Sequence, residues 1–448
     1  MNWTLIIIIG LFFALLFVVL GVWHRVLQTA HNRMLSRKRD IANQQGTNQA
    51  LTQHPQIDPY RCLGCGCCVR ACPEKGVLAV VNGVSCLIHA SHCVGHGCCE
   101  QACPVGALTV GLGDTSQRSD IPILSSDMET SVPGVFIAGE LGGIGLIRHA
   151  VEQGTHVIET ITKRLGPAQR NANDKTVLDV LIMGCGPAGI AATLKAHELG
   201  LSYTIMDQND IGGTVRQYPR NKLTLTQPVD LPVYGRMDRT EYTKEELIDL
   251  WEGVFQTAGI HIQTQAHWLD LQQGDDGTLQ VKTSVGTVSC RAMVLALGRR
   301  GCPRRLGVPG EEASHVRYQL TDAGDYVNKD LLVVGGGDSA VEAALALAEQ
   351  GNQVAMSYRR QAFFRIKPKN RQRIDALQQT GGISVFFDSV VKRIEVGQAL
   401  LSISGVEKDG PATEKNLAAD YVFVLAGGEP PYPLLKKIGV TFGEPKAP

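Results

Sequence analysis

The sequence lacks a surplus of charge of either sign: lysine and arginine total 43, and so do aspartate and glutamate. No global basic field therefore points to nucleic acid. It also lacks a cysteine framework spread along the chain. Ten of its 13 cysteines fall between Cys62 and Cys103, and only Cys185, Cys290 and Cys302 lie elsewhere. A disulfide scaffold distributes its cysteines through a small secreted domain, so this crowding indicates metal. Glycine is abundant, 49 residues, but has no collagen-like period, which leaves tight turns and phosphate loops as its use. At 448 residues, 44% hydrophobic and 19% charged, the chain is neither a single small module nor wholly disordered.

Charge is missing altogether from Trp3 to Trp23. A run of about 20 apolar residues matches the hydrocarbon core of a bilayer, and the two tryptophans stand where interfacial aromatics belong. A cleaved signal peptide fits poorly, since no positive region precedes the run and no A-x-A site follows it. Arg25, Arg33, Arg37, Lys38 and Arg39 follow the run and no Lys or Arg precedes it. The positive-inside rule then places the bulk of the chain in the cytoplasm, on a single-pass inner-membrane anchor. Residues 26–39 read as a basic helix on the lipid surface or a solvated linker, and residues 40–53, rich in Asn and Gln, as linker.

Cys62, Cys65, Cys68 and Cys72, followed by Pro73, have the C-x2-C-x2-C-x3-C-P spacing of a bacterial [4Fe–4S] ferredoxin loop. Zinc motifs use separated pairs instead. The second run keeps Cys93, Cys99 and Cys103-Pro104, but its second position is His96. His96 is favoured as a ligand because it occupies the ligand position. Cys98 or Cys86 could substitute, the site could hold a three-iron cluster, or His96 could serve only as a hydrogen-bond donor behind the ligands. By spacing, one cluster takes Cys62, Cys65, Cys68 and Cys103. The other takes Cys72, Cys93, Cys99 and His96. Residues 57–111 resemble two-cluster ferredoxins, with Val77–Val80 and Ala107–Val110 expected as paired short strands.

Two dinucleotide fingerprints follow. The apolar run 177–183 leads into Gly184-Cys185-Gly186-Pro187-Ala188-Gly189, an alanine-rich helical stretch, and a second strand ending at Asp207. Gly184, Gly186 and Gly189 let the backbone meet a pyrophosphate at a helix N-terminus, and an acid about 20 residues on suits a ribose hydroxyl pair. The pattern recurs after the strand 330–334, with Gly335, Gly337 and Ala340 at the three fingerprint positions. Its second strand ends in Arg359-Arg360 instead of an acid. Such a pair can hold a 2′-phosphate by fork-like hydrogen bonds, which favours NADPH over NADH; a solvated strand end is the plain alternative.

Two such folds in series resemble the thioredoxin reductase branch of the pyridine nucleotide–disulfide oxidoreductases, over roughly residues 114–440. Leu295-Ala296-Leu297-Gly298 and Leu306-Gly307-Val308-Pro309-Gly310-Glu311 are similar to that family's crossover between FAD and NADPH domains. Lys222-Leu223-Thr224 through Leu231-Pro232, and Ile366-Lys367-Pro368, look most like bacillithiol disulfide reductase-type proteins. The resemblance implies FAD at the first fingerprint and NADPH at the second. Two departures qualify it. Residues 312–334 hold no cysteine, so the family's C-x-x-C relay is missing. The family's closing FAD motif stands early, as Pro133-Gly134-Val135-Phe136-Ile137-Ala138-Gly139-Glu140. By resemblance, Gly139 and Glu140 face the flavin's ribityl–phosphate region, and the following helix, within 143–164, faces its ring. The FAD domain thus reads as circularly permuted.

The expected fold is α/β: two Rossmann-like domains, a small α+β ferredoxin-like domain and one transmembrane helix. The expected segments are a 1–25 anchor, a 26–53 basic segment and linker, and a 54–113 ferredoxin domain. The permuted FAD part covers 114–170, the FAD domain 171–300, the NADPH domain 301–428 and a C-terminal tail 429–448. The expected activity moves electrons from NADPH through FAD and two [4Fe–4S] clusters to an acceptor, or in reverse to NADP+. Ferredoxin, quinone, cytochrome and a small disulfide are open as acceptors, and a homodimer is open as assembly. The competing readings are a small-disulfide reductase with ancillary clusters and a non-catalytic redox-sensing membrane protein. No side-chain acid, base or nucleophile stands out.

Overall fold

The computed structural model describes residues 3–44, 53–113, 115, 118–170, 176–220, 222–225, 228–299, 301–364, 366–404 and 412–444. The chain forms two compact units, residues 1–113 and 114–448.

The first unit begins with helix α1, Trp3–Gln44. Among the described residues this is the one helix long and apolar enough to cross a membrane, with an apolar window of mean hydropathy 1.9 and none of that window buried. The segment expected as linker from residue 40 is helical through Gln44, and residues 45–52 of it lie outside the described residues. The physical reason is a docking contact. Leu35 and Ala42 stand seven residues apart, on one helix face, and both are buried. Leu35 packs against Ala79, Val81 and Ile88.

Four short strands follow: β1 His54–Ile57, β2 Leu78–Val81, β3 Val84–Leu87 and β4 Leu108–Gly111. The expected pairing of 77–80 with 107–110 is corrected here. β2 pairs with β3 as a local hairpin and β4 pairs antiparallel with β1. Asn82 and Gly83 both take positive φ, the geometry of a two-residue hairpin turn, which local closure favours over the distant partner. Two short helices, α2 Cys67–Ala71 and α3 Cys98–Gln101, complete the unit.

The second unit holds two parallel sheets. In the first, β5 Val135–Ile137, β6 Val177–Met183, β7 Tyr203–Met206 and β8 Ile262–Gln263 run parallel to the end of a long strand introduced next. β9 Trp268–Gln273, β10 Leu279–Thr283 and β11 Gly286–Leu295 add an antiparallel edge. The order is β8-β7-β6-β11-β10-β9, with β5 alongside the last residues of β11. Helix α4, Ile147–Arg170, and helix α5, Pro187–Glu198, cover one face; the backbone of α4 breaks at Gly166. Gly154 permits their close contact, because a Cβ there would strike the Ala188 carbonyl. Helix α6, Lys244–Ala258, starts with a capping box between Thr243 and Glu246.

The second sheet is wholly parallel, β12 Val316–Arg317, β13 Asp330–Val334, β14 Gln353–Ser357, β15 Ile383–Phe386 and β16 Tyr421–Val424, in the order β12-β16-β13-β14-β15. Helices α7 Asp338–Ala348 and α8 Pro368–Gln379 belong to it. The segment expected as a C-terminal tail is structural instead. Its helix α9, Tyr432–Lys437, returns to the first sheet, where Leu435 and Val440 enter a core with Met183, Met293 and Leu295. Its end also meets the start of the same unit: Ile123 N donates to Thr441 O at 3.0 Å and Gly443 N to Arg118 O at 3.1 Å.

Leu435→Ala is expected to destabilise this unit by about 2–5 kcal/mol, as for other fully buried leucines. Thermal denaturation checks it; an unchanged midpoint would remove the returning segment from the core.

Candidate functional site

Four strands of the first sheet end at one place. Ala138, Gly139 and Glu140 follow β5, Gly184 and Gly186 follow β6, Asp207 follows β7, and Ala296, Leu297 and Gly298 follow β11; all line one cleft of about 410 Å³. Ligands of parallel α/β sheets bind beyond the carboxyl ends of the strands, and this cleft sits there. Gly186 is the N-cap of α5, and nothing lies within 4 Å of where its Cβ would stand, so the helix N-terminus is open to an anion. Gly184 and Gly189 serve the turn differently: a Cβ on Gly184 would strike the Ala296 carbonyl, and one on Gly189 the Gly184 carbonyl. The first residues of α4, Ile147 and Ala150, also line the cleft, so a second helix N-terminus opens onto it.

Asp207 is 8% exposed. Its carboxylate accepts from Cys185 N at 2.6 Å and Asn209 N at 2.7 Å. Burial, opposed by those amide bonds, leaves the carboxyl above its ordinary range. The acid thus braces the glycine turn as well as facing the cleft.

Several lining groups carry no sequence signal of their own. Buried Gln153 on α4 accepts from Gly139 N at 2.8 Å and fixes the Ala138-Gly139 turn. Thr214, Gln217 and Tyr218 form one wall, and Glu429, Pro431, Pro433 and Leu434 of the returning segment form another. One signal was readable: in the Gly212-Gly213 doublet, a Cβ on Gly213 would come within 3.0 Å of Gly186 Cα. No described cysteine side chain lines the cleft; Cys185 and Cys290 are fully buried, and burial pushes Cys290 up to about 12.

The second fingerprint is formed separately. Gly335 takes φ 147 after β13, Gly337 caps α7, and buried Ala340 sits in its first turn. Gly336 makes room for the ring of Tyr358. Arg359, exposed, and Arg360, half-buried, follow β14.

In the first unit the cysteines surround two small cavities. Cys62, Cys65, Cys67, Cys68 and Cys103 line one, together with Leu63, Val105 and Leu108. Cys72, Cys93, His96, Cys98 and Cys99 line the other. Cys86 lies outside both and packs at the α1–hairpin contact. Among the described residues, no group of three or more His, Cys, Asp or Glu is close enough to hold a single metal ion. Backbone amides point at two of the sulfurs: Ser85 N donates to Cys62 Sγ at 3.4 Å and Ala107 N to Cys103 Sγ at 3.2 Å. At the second cavity burial pushes the Cys72 and Cys93 thiols up, and it takes Cys99 to about 12, with Cys93 and Cys72 adding to the effect.

A family model described as pyridine nucleotide-disulphide oxidoreductase matches residues 181–448, and the chain belongs to that family. Its relatives include bacilliredoxin reductase Bdr of Bacillus subtilis (strain 168), 25% identical over 264 residues, 58% of this chain and 80% of that protein. A ferredoxin–NADP reductase of Paraburkholderia phytofirmans is 30% identical over 257 residues, 56% of this chain and 69% of that protein. Among solved structures, bacillithiol disulfide reductase Bdr (YpdA) from Staphylococcus aureus shares the fold, with TM-score 0.50 and 22% identity over 59% of this chain and 81% of that one. The chain is therefore related to FAD-dependent NAD(P)H oxidoreductases, and FAD and NADPH fit its family.

Asp207→Ala leaves the Cys185 and Asn209 amides without their acceptor. It is expected to cost about 1–3 kcal/mol and to weaken flavin retention. Calorimetry with a flavin-to-protein absorbance ratio reads both; wild-type values would show that the carboxylate does not brace the turn.

Proposed function

We propose that the chain is a membrane-anchored flavin and iron–sulfur oxidoreductase that moves electrons from NADPH through FAD and two clusters to an acceptor outside the flavin cleft. The observation that carries this reading is the separation of thiols from flavin site: ten cysteines gather in the first unit, while no described cysteine side chain lines the cleft. A disulfide reductase, the reading suggested by the bacilliredoxin reductase relative, needs a thiol or a disulfide substrate at the flavin. FAD bound in the cleft would accept a hydride, two electrons and one proton, from NADPH, leaving NADP+, and release electrons singly.

The residues divide the work. Gly184, Gly186 and the α5 N-terminus would hold the pyrophosphate, and Asp207 the adenosine ribose. Gly139, Glu140 and the α4 N-terminus would face the ribityl chain and ring. Gly335, Gly337 and Ala340 would receive NADPH, with Arg359 and Arg360 on its 2′-phosphate. Cys62, Cys65, Cys68 and Cys103 would hold one cluster, and Cys72, Cys93 and Cys99 the other, with His96 as fourth ligand. Cys98 lines the same cavity and is the alternative donor; Cys86 does not line it. The apolar stretch of α1 and the basic residues that follow it support a single-pass anchor with the rest on the cytoplasmic side.

The FAD domain reads as circularly permuted. Two facts support this: β5 joins β11 in parallel register, Ile137 opposite Leu295, and Gly443, in the segment after α9, hydrogen-bonds with Arg118. Removal of residues 1–117 should leave a yellow protein that accepts hydride from NADPH, whereas removal of 1–170 should abolish tight FAD binding. Stoichiometric FAD after the longer truncation would refute the permuted site.

Anaerobic NADPH should bleach the flavin and then produce Fe–S electron paramagnetic signals in the intact protein. Chemical analysis should find about eight iron atoms per chain, or about seven with a three-iron second site. Flavin reduction without any cluster signal, coupled to disulfide turnover, would favour the disulfide reductase instead. Replacing Arg359 and Arg360 with Gln should raise KM for NADPH over that for NADH on the order of a hundredfold. Equal use of NADH by the unaltered protein would overturn the assignment.

A further inference from the structure

Two sequence motifs have no part in the reading above: the one starting at Lys222 and Ile366-Lys367-Pro368. The structure brings them into one network. Lys222 Nζ donates to Glu342 Oε2 at 3.1 Å and lies 4.9 Å over the ring of Tyr218, which lines the flavin cleft. Glu342 Oε1 accepts from Asn370 Nδ2 at 3.1 Å. The same amide nitrogen donates to Asp338 Oδ1 at 2.7 Å, and Lys367 N donates to that oxygen at 2.8 Å. Asn370 is 6% exposed, so its two N–H groups are spent on these two carboxylates. Asp338 is the first residue of α7, directly after the Gly335–Gly337 turn. Alongside, Arg220 bridges to Asp322 at 3.4 Å, and its backbone N donates to Thr321 O at 3.1 Å.

The electrostatics give this network direction. Asp338 and Glu342 are four residues apart on one helix face, where like charges repel. They also stand beside the helix N-terminus that a pyrophosphate would approach, and their charge opposes that anion. Lys222 supplies a cation from the flavin side, and Asn370 satisfies an oxygen of each carboxylate. Lys222 thus links this acidic helix face to the wall of the cleft.

We propose that Lys222 is a positioning residue that couples nucleotide occupancy of the Gly335–Gly337 turn to the flavin-cleft wall at Tyr218, through Glu342, Asn370 and Asp338. The inference rests on the reading of that turn as the NADPH site. Coupling of this kind is reciprocal: to the extent that bound nucleotide strengthens the Lys222–Glu342 contact, that contact strengthens nucleotide binding.

Hydrogen exchange of the intact protein with and without NADP+ tests it. The turn amides of Val215, Gln217 and Tyr218 should exchange on the order of tenfold more slowly with NADP+ bound, together with amides near 335–341. In Glu342→Gln and Lys222→Met the response at 335–341 should persist and the response at 215–218 should vanish. Lys222→Arg should keep both, and the exchanged pair Lys222→Glu with Glu342→Lys should restore what each single change loses. Stopped-flow reduction by NADPH should slow in the single variants at saturating NADPH, a change in rate and not only in KM. A response at 215–218 that survives both single changes, or is absent from the unaltered protein while 335–341 responds, overturns the coupling. No response at either place would instead refute the nucleotide site itself.

Discussion

The cleft at the strand ends depends on one register: β11 lies between β6 and β5, parallel to both, with Leu295 opposite Met183 on one side and Ile137 on the other. A parallel strand pair brings carboxyl ends together, and the turns that follow then face a common space. Met183 itself lines the cleft and Ile137 and Leu295 each precede a lining residue, so a slip of one position in any of these strands would displace the turn that follows it. The three strand ends are fully buried, which is what fixes that register. The glycines act within it, since Gly184 and Gly189 occupy places where any Cβ would strike a carbonyl of this same junction.

In the first unit, polar organisation replaces core size. Its buried cluster holds few aliphatic residues, and Cys68 and Cys99 are among its buried members. The two loops repeat one plan, Cys65-Gly66-Cys67-Cys68 and His96-Gly97-Cys98-Cys99, with Gly66 and Gly97 both in the left-handed conformation ahead of a short helix. Burial pushes the Cys72, Cys93 and Cys99 thiols up, so desolvation in this small unit falls on its sulfur atoms as well as on its few aliphatic side chains.

The parts legible in the sequence are those with a local steric or spacing rule: the glycine turns, the acid ending the second strand, the cysteine spacing and the apolar run. The parts that were not legible depend on distant partners. β2 found β3 across a tight turn instead of the segment near residue 108, because a local closure costs less chain entropy. Residues 40–44 stayed helical because Leu35 and Ala42 found a docking surface that composition alone does not show. Gln153, a plain helix residue by sequence, turned out to hold Gly139 N, and the chain's last segment turned out to be cleft wall.

The incoming end of the second unit is fixed by charge as well as by strands. Asp120 accepts from Arg118 at 2.8 Å and from Arg299 at 3.1 Å, and Tyr432 donates its hydroxyl to the Asp120 carbonyl at 2.6 Å. Burial would raise this carboxyl, but the two guanidiniums hold it below the ordinary range. Three distant segments are joined there: the residues that lead toward β5, the residue after the Leu295–Gly298 turn, and the returning helix α9. Both arginines are mostly buried, 15% and 17% exposed, so the contacts are less screened than a surface pair. β5 is only three residues long, so few contacts of its own hold the segment that leads into the cleft. The Asp120 contacts add a second anchor to the buried strand, fifteen residues before it begins.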